Sequence, residues 1–348
     1  MVSISDILNK DNTDPVDQPG SGDSASPKQD QQAEGGIEVS KFVSMGVRSF
    51  DSEQCLKLYA DALALVKDIY DRAQNNQELI DGVGRITACV EKFVDQQLLA
   101  NDNILKFITD QKDEANNYIY EHVVNVCIIS IEIGIGLKLE RGQMIELATV
   151  AILHDIGMVK FRGIYSKKGI LTAEEYDQIK NHPALSAQIL QKFKNIDKRF
   201  SAIVAQEHER LRGSGYPRGL KGSNIDKFAQ IIGISDVFEA MTHARPYRGR
   251  IDPLESLRQL LKEKTDFAKD IIKILIQRFG CPYCLGTHVK LTSGERGRII
   301  GRNLVNSMRP VVELTHDIYG RKLKDAKVVD LAQNPTASIE KILQDKEE

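Results

Sequence analysis

Apolar side chains recur three or four residues apart over much of the chain, which is the spacing of a helix that buries one face. Between residues 37 and 112 we find two such series, with no residues of obvious chemical function beside them. The series comprise Leu56, Tyr59, Leu63, Val66 and Ile69, then Ile86, Val90, Phe93 and Leu98. We interpret 37–112 as a helical regulatory or dimerisation module that opens with a short strand in 37–50.

The helical pattern continues from residue 113 to residue 280. Thr172 to Glu175 form a capping-box sequence, and the helix that it opens should end near His182, because Pro183 follows. Three further apolar segments also predict helices. They are Phe228–Thr242, Leu254–Lys262 and Ala268–Phe279.

The two ends of the chain differ from the helical part in their residue composition. Residues 1–36 are mostly polar, Gly and Pro, which predicts a disordered tail. Residues 281–348 contain short β-branched segments between Gly and Asn turns, which predict a small β-rich extension. Those segments are Thr287–Thr292, Gly297–Gly301 and Pro310–Thr315. The predicted fold class is therefore mainly α, with an N-terminal helical module and a small C-terminal β appendage.

Composition narrows the class of protein. The chain of 348 residues is 41% hydrophobic and 28% charged, with a net charge of -2, which is typical of a globular protein and argues against binding a nucleic-acid polymer. No signal peptide is evident, and the longest apolar stretch, Val123–Leu137, is short for a membrane span and carries Glu132. Five irregularly spaced cysteines do not indicate a disulfide framework. We expect a cytoplasmic protein without membrane contact.

Four of the seven histidines occur in one ordered run with acidic residues. A buried carboxylate must be paired or bound to a metal, and a carboxylate can bridge two ions that together clamp a phosphoester. Mixed imidazole and carboxylate ligands suit iron, manganese or zinc. The run comprises His122, His154-Asp155, His182, Glu207-His208 and Asp236. This pattern predicts a shared metal cluster.

Other motifs have simpler explanations. A lone buried histidine is more often a hydrogen-bonded core residue than a ligand, and we apply this to His243, His288 and His316. Cys281 and Cys284 form a CxxC pair without the βαβ context of a redox motif, so a domain junction explains them better. The Gly-rich loop after Arg210 is either a mobile turn or a pocket wall, with Tyr216 able to stack on a ligand.

The ordered motifs resemble the HD-GYP branch of the HD phosphohydrolases over residues 118–280. The resemblance implies an HD-type helical bundle over residues 113–280 that hydrolyses the bacterial second messenger cyclic di-GMP. It also implies a homodimer, and a signalling partner that binds the Gly-Tyr-Pro loop. The motifs are His154-Asp155-Ile156-Gly157, His182-Pro183, Glu207-His208-Glu209, Gly215-Tyr216-Pro217, and Ser235-Asp236 through Arg248.

Residue by residue, the resemblance implies a role for each matching position. The implied metal ligands are His122, His154, Asp155, His182, Glu207, His208 and Asp236. Asp155, His154 and Tyr216 are implied as catalytic residues. Arg245 and Arg248 would bind the substrate phosphates, to which guanidinium groups are well suited, and Lys160 is a candidate for the same role.

Three positions depart from the family pattern. Glu207 stands where the family often has histidine, and Met158 replaces a frequent lysine. Tyr118 stands where some members carry the glutamate associated with a third metal. We therefore predict two divalent ions, with iron or manganese favoured.

The predicted function is hydrolysis of cyclic di-GMP to pGpG or GMP by a metal-bridged hydroxide, and the sequence leaves the product open. Glu207 and Met158 keep a second hypothesis alive, a catalytically weak sensor that binds cyclic di-GMP in the same pocket. A third is an HD phosphohydrolase that acts on another nucleotide.

Overall fold

The computed structural model describes residues 52–343 apart from 80, 96–117, 168, 170, 244–250, 252, 263–265, 281–282, 284–285, 302 and 304–307. The predicted tail 1–36, the strand in 37–50, and the positions of Arg245, Arg248, Cys281 and Cys284 lie outside the described residues.

The described part confirms the mainly α fold class with a C-terminal sheet. The helices are α1 Ser52–Gln74, α2 Gly82–Asp95, α3 Tyr118–Gly136, α4 Arg141–Leu153, α5 Arg162–Tyr165, α6 Ala173–Ile179, α7 His182–Leu190, α8 Lys198–Val204, α9 Lys227–Thr242, α10 Pro253–Lys262 and α11 Lys269–Phe279. Two 3₁₀ helices cover Ile156–Phe161 and Gly222–Asn224.

Helix α3 is the centre of the helical bundle, because it is apolar on every side and is packed by α1, α4, α9 and α11. By length and composition it would also pass as a membrane span, but 89% of its apolar stretch is buried inside the protein. A helix that is hydrophobic all round and covered by other helices is a core helix.

The N-terminal helices belong to the same core as the rest of the bundle. Tyr59, Val66 and Ile69 of α1 and Ile86 and Val90 of α2 are buried in one continuous cluster with α3 and α4. The apolar series therefore predicts most of the buried faces of α1 and α2, but Leu56 is 51% exposed, and Leu98 lies outside the described residues. The proposed boundary at residue 112 lies outside the described residues and stays a prediction.

One helix end differs from the prediction. Thr172 does cap α6, with its side chain accepting from the backbone of Glu175 and the reciprocal bond present. However, α6 ends at Ile179, and His182 is the first residue of α7, with Pro183 in the first turn. Pro183 begins the new helix instead of ending the old one, because proline is well suited to a first turn whose N–H groups have no helical partner.

The C-terminal strands form one antiparallel sheet in the order β4-β3-β2-β1-β5. The strands are β1 His288–Leu291, β2 Arg296–Gly301, β3 Val311–His316, β4 Lys322–Asp330 and β5 Ile339–Ile342. The first three match the predicted β segments. The sheet buries its own small core, which is separate from that of the helices and includes Val289, Leu291, Ile299, Val312 and Leu314.

Candidate metal centre

Five segments of the helical bundle bring the seven predicted ligands into one buried cluster. His122 lies on α3, His154-Asp155 at the end of α4, His182 at the start of α7, Glu207-His208 in the turn after α8, and Asp236 on α9. None of the seven is more than 8% exposed.

Gly157 permits the close approach of two of these segments. A Cβ at this position would lie 2.3 Å from the carbonyl oxygen of His182 and 2.6 Å from the backbone nitrogen of Ser186. The Gly157 N–H donates to Ser186 Oγ at 2.9 Å. The glycine of the His-Asp-Ile-Gly motif therefore lets the 3₁₀ helix after α4 rest directly against the N-terminal half of α7.

Hydrogen bonds fix the orientation of three imidazoles. His154 Nδ1 donates to the carbonyl of Ala151 at 2.7 Å, and His182 Nδ1 donates to that of Ile179 at 2.7 Å. His122 Nδ1 donates to Glu239 Oε2 at 2.5 Å. Because a carbonyl or carboxylate oxygen only accepts, each Nδ1 must carry the proton. In the neutral form that can bind a metal, each of these rings then presents its Nε2 lone pair to the cluster.

The two oxygens of Asp155 face different groups of ligands. Oδ1 lies 3.1 Å from His182 Nε2, whereas Oδ2 lies 3.6 Å from His122 Nε2 and 3.8 Å from His154 Nε2. Two sets of donor atoms, each within 4.8 Å of one another, share this residue: Asp155, His182, Glu207, His208 and, on the other side, His122, His154, Asp155. Asp155 is thus the residue common to both sets.

Glu207 and Asp236 also have oxygens close to histidines of both sets. Glu207 Oε1 is 3.2 Å from His182 Nε2, and its Oε2 is 3.7 Å from His154 Nε2. Asp236 Oδ1 is 3.2 Å from His122 Nε2, and its Oδ2 is 4.0 Å from His208 Nδ1. Glu207 therefore points into the cluster and does not support a neighbouring helix.

Several buried donor atoms have no hydrogen-bond partner, which is the property expected of metal ligands. They include His154 Nε2, Glu207 Oε2 and Asp236 Oδ2. Since unpaired buried polar atoms cost free energy, the donor set fits divalent cations.

The electrostatics lead to the same conclusion. Burial lowers the pKa of His122 and His182, but their carboxylate neighbours outweigh it and raise each pKa to about 10. Burial together with the adjacent His182 lowers the pKa of His208 to about 3. Burial opposes ionisation of Asp155 and Asp236, yet the surrounding imidazoles hold their pKa values well below the usual range. The carboxylates thus require positive charge at the centre.

The Gly-Tyr-Pro loop covers one side of the cluster. The ring of Tyr216 stacks on that of His208, with centroids 4.7 Å apart and planes 19° from parallel. Tyr216 N also donates to the His208 carbonyl at 3.2 Å. The carboxylate of Glu209 holds the far side of the loop by accepting from the backbone N–H groups of Arg218 and Leu220. The loop is thereby tied to the ligand segment.

Lys160 and Tyr118 take different positions relative to the cluster. Lys160 donates to the carbonyls of Ala73 and Gln74 at the end of α1, so in this structure its ammonium contacts α1 and not the cluster. Tyr118 lies one turn before His122 and stacks on it, with ring centroids 6.0 Å apart.

Sequence reasoning missed the outer residues of the centre. Glu239 follows Asp236 by one helical turn on α9 and is 1% exposed. A glutamate within so apolar a helix was the available signal. Asn125, one turn after His122, donates to the same carboxylate at 3.3 Å. His243 is buried, as expected of a core histidine, and its Nδ1 lies 3.7 Å from Glu239 Oε1.

Comparisons with known proteins agree with these motifs. Residues 108–270 match the HD domain family, and residues 288–348 match a KOW domain associated with the HD domain. Cyclic di-GMP phosphodiesterase PA4108 of Pseudomonas aeruginosa is 27% identical over 71% of this chain and 60% of its own length. The 3'3'-cGAMP-specific phosphodiesterase 1 of Vibrio cholerae is 34% identical over 45% of this chain and 37% of its own.

A solved structure shows the same fold. Bd1817, an HDG"Y"P protein from Bdellovibrio bacteriovorus, superposes with a TM-score of 0.52 at 18% identity, covering 63% of this chain and 69% of that one. The ordered motifs, the family match and this likeness agree. The chain therefore resembles the HD-GYP branch of the HD phosphohydrolases, with an HD-domain match over residues 108–270 and a KOW-domain match over residues 288–348.

Proposed function

We propose that this protein is a metal-dependent phosphodiesterase that hydrolyses cyclic di-GMP. The observation that carries the proposal is the pair of donor sets that share Asp155, because two ions about 3.5–4 Å apart suit phosphoester hydrolysis. A cyclic dinucleotide as substrate is supported by the similarity to the cyclic di-GMP phosphodiesterase of Pseudomonas aeruginosa and the 3'3'-cGAMP-specific phosphodiesterase of Vibrio cholerae.

The residues that would hold the ions are the seven of the cluster. On one side they are Asp155, His182, Glu207 and His208, and on the other His122, His154 and Asp155, with Asp236 between them. Divalent ions bound there would supply Lewis acidity toward the phosphate and lower the pKa of a bound water. Nitrogen and carboxylate donors without a thiolate favour iron or manganese in this proposal.

The protein's own groups would organise the site around the scissile phosphate. Asp155 places its two oxygens toward the two donor sets, and the Nδ1 bonds of the imidazoles hold their rings in place. Tyr216 covers one face of His208 and limits its contact with water. We retain Arg245 and Arg248, which follow α9, as the proposed phosphate ligands. A cytoplasmic homodimer, and a signalling partner at the Gly-Tyr-Pro loop, also stay proposals.

The test is turnover of cyclic di-GMP by anaerobically purified protein supplied with manganese or ferrous iron, with 3'3'-cGAMP run in parallel. We expect hydrolysis that a chelator abolishes, and no hydrolysis by Asp155→Ala. The matched control is Asp270→Asn. This change removes a half-exposed carboxylate on the surface of α11 that pairs with Lys227 of α9.

Each outcome decides between the hypotheses. Full activity of Asp155→Ala would rule out the proposed mechanism. Tight binding of cyclic di-GMP by the wild type without turnover under either metal would favour the sensor. Hydrolysis of 3'3'-cGAMP alone would keep the enzyme but change its substrate.

A further inference from the structure

A chain of buried polar side chains connects helix α1 to the metal centre. The hydroxyl of Tyr59 on α1 donates to Asn125 Oδ1 on α3 at 2.9 Å, and Asn125 Nδ2 donates to Glu239 Oε1 at 3.3 Å. The other oxygen of Glu239 accepts the Nδ1–H of His122 at 2.5 Å. The N-terminal helix is thus three hydrogen bonds away from a metal ligand.

The direction of every bond in this chain is fixed. An ionised Glu239 can only accept, so Asn125 must present its NH₂ group to it. The Asn125 oxygen is then turned toward Tyr59, whose hydroxyl must donate. Burial, followed by the nearby charges of Glu121 and Glu239, raises the pKa of Tyr59, which keeps this hydroxyl protonated.

Burial makes the chain sensitive to loss of any member. Tyr59 is 4% exposed, Asn125 is fully buried and Glu239 is 1% exposed. Water therefore has little access to replace a missing donor, and a buried acceptor left unsatisfied costs its full desolvation.

We propose that Tyr59 is a positioning residue for the metal ligand His122 and acts on it through Asn125 and Glu239. A carboxylate that accepts the outer N–H of a ligating imidazole orients the ring and raises its basicity. Tyr59, through Asn125, holds that carboxylate in place. This inference rests on the proposed metal centre, and it gives the N-terminal module a physical route to that centre.

The chain offers a closely matched control. Tyr120 on α3 is also 4% exposed, and its hydroxyl also joins α1 to α3, by donating to Asp71 Oδ1 at 2.7 Å. Unlike Tyr59, it takes no part in the chain of hydrogen bonds to His122. Tyr59→Phe and Tyr120→Phe each remove one interhelical hydroxyl, and only the first should affect the ligand.

The experiment measures cobalt(II) affinity of the full chain by competition with a chelator, together with the proton spectrum of the cobalt-loaded protein. We expect Tyr59→Phe to lower affinity about threefold to tenfold, the equivalent of one hydrogen bond. It should also move one hyperfine-shifted imidazole N–H resonance. Tyr120→Phe should change neither.

A double variant tests whether Tyr59 acts on His122 through Glu239. Glu239→Gln should lower affinity about 10- to 100-fold, as loss of such an outer carboxylate typically does. Adding Tyr59→Phe to it should cause no further loss, because the tyrosine acts only through the charged Glu239. If Tyr59→Phe does not fold, Asn125→Ala breaks the same chain and carries the same prediction.

Three results would overturn the inference. One is wild-type affinity in Tyr59→Phe. Another is an equal loss in Tyr59→Phe and Tyr120→Phe, which would show a general loosening of α1. The third is a double variant whose loss of cobalt affinity equals the product of the losses in Tyr59→Phe and Glu239→Gln. Failure of the wild type to bind cobalt would instead overturn both this inference and the proposed metal centre.

Discussion

The Glu207 carboxylate lies fully buried between His154 and His182, where burial raises its pKa. A buried charge destabilises the fold unless a cation compensates it. We therefore expect Glu207→Gln to bind manganese at least about tenfold more weakly, while its free energy of unfolding in chelator stays equal or rises. Metal titration and chemical unfolding check both parts.

A variant that loses manganese affinity without losing stability in chelator identifies Glu207 as a ligand, because loss of a structural residue would lower the stability. Unchanged manganese affinity in both Glu207→Gln and Glu207→Ala would contradict the assignment. Glu207→His restores the pair more usual in the family, and we expect it to bind metal with an altered preference between manganese and iron.

Among the elements, the contact between the 3₁₀ helix Ile156–Phe161, which follows α4, and the start of α7 brings His154 and Asp155 to His182. A methyl group at Gly157 would collide with the His182 carbonyl at 2.3 Å. We expect Gly157→Ala to lower the free energy of unfolding by about 1–3 kcal/mol, as overpacking does, and to weaken metal binding. Chemical unfolding and metal titration measure the two effects.

Gly163→Ala is the control for this prediction, because among the described residues outside its own helix turn no atom lies within 4 Å of a Cβ at that position. It lies in the short helix α5, where alanine is favoured over glycine by up to about 1 kcal/mol. Equal stability and metal affinity of Gly157→Ala and the wild type would show that the close packing is dispensable.

The sequence predicts elements unequally well, for physical reasons. The core faces of α1 and α2 follow from apolar spacing, because burial of one face is what that spacing produces, whereas α9 is marked by an almost continuous apolar run and is buried on nearly every side. Strands β4 and β5 were missed. Most of the side chains in β4 are exposed and charged, so no alternation marks the strand.

The ligand set could be predicted because its residue types are rare in apolar helices. Glu239 stands out as a carboxylate in an apolar helix, but its role and that of Asn125 could not be predicted, because both roles depend on contacts between helices.

At the scale of the whole molecule, the helical core and the core of the C-terminal sheet are separate clusters of buried residues. All seven predicted ligands lie in the helical part. We therefore expect a chain that ends at residue 286 to fold and to bind manganese within about twofold of the full chain. Circular dichroism and metal titration of the shortened chain are the check, and loss of metal binding would show that the sheet supports the centre.

We propose that the seven residues of the cluster hold two ions, one on either side of Asp155. Anomalous diffraction from manganese-loaded crystals tests it most directly. We predict two peaks, one among His122, His154 and Asp155 and the other among Asp155, His182, Glu207 and His208. A third fully occupied peak would contradict the role given to Tyr118, and a single peak away from Asp155 would contradict the account as a whole.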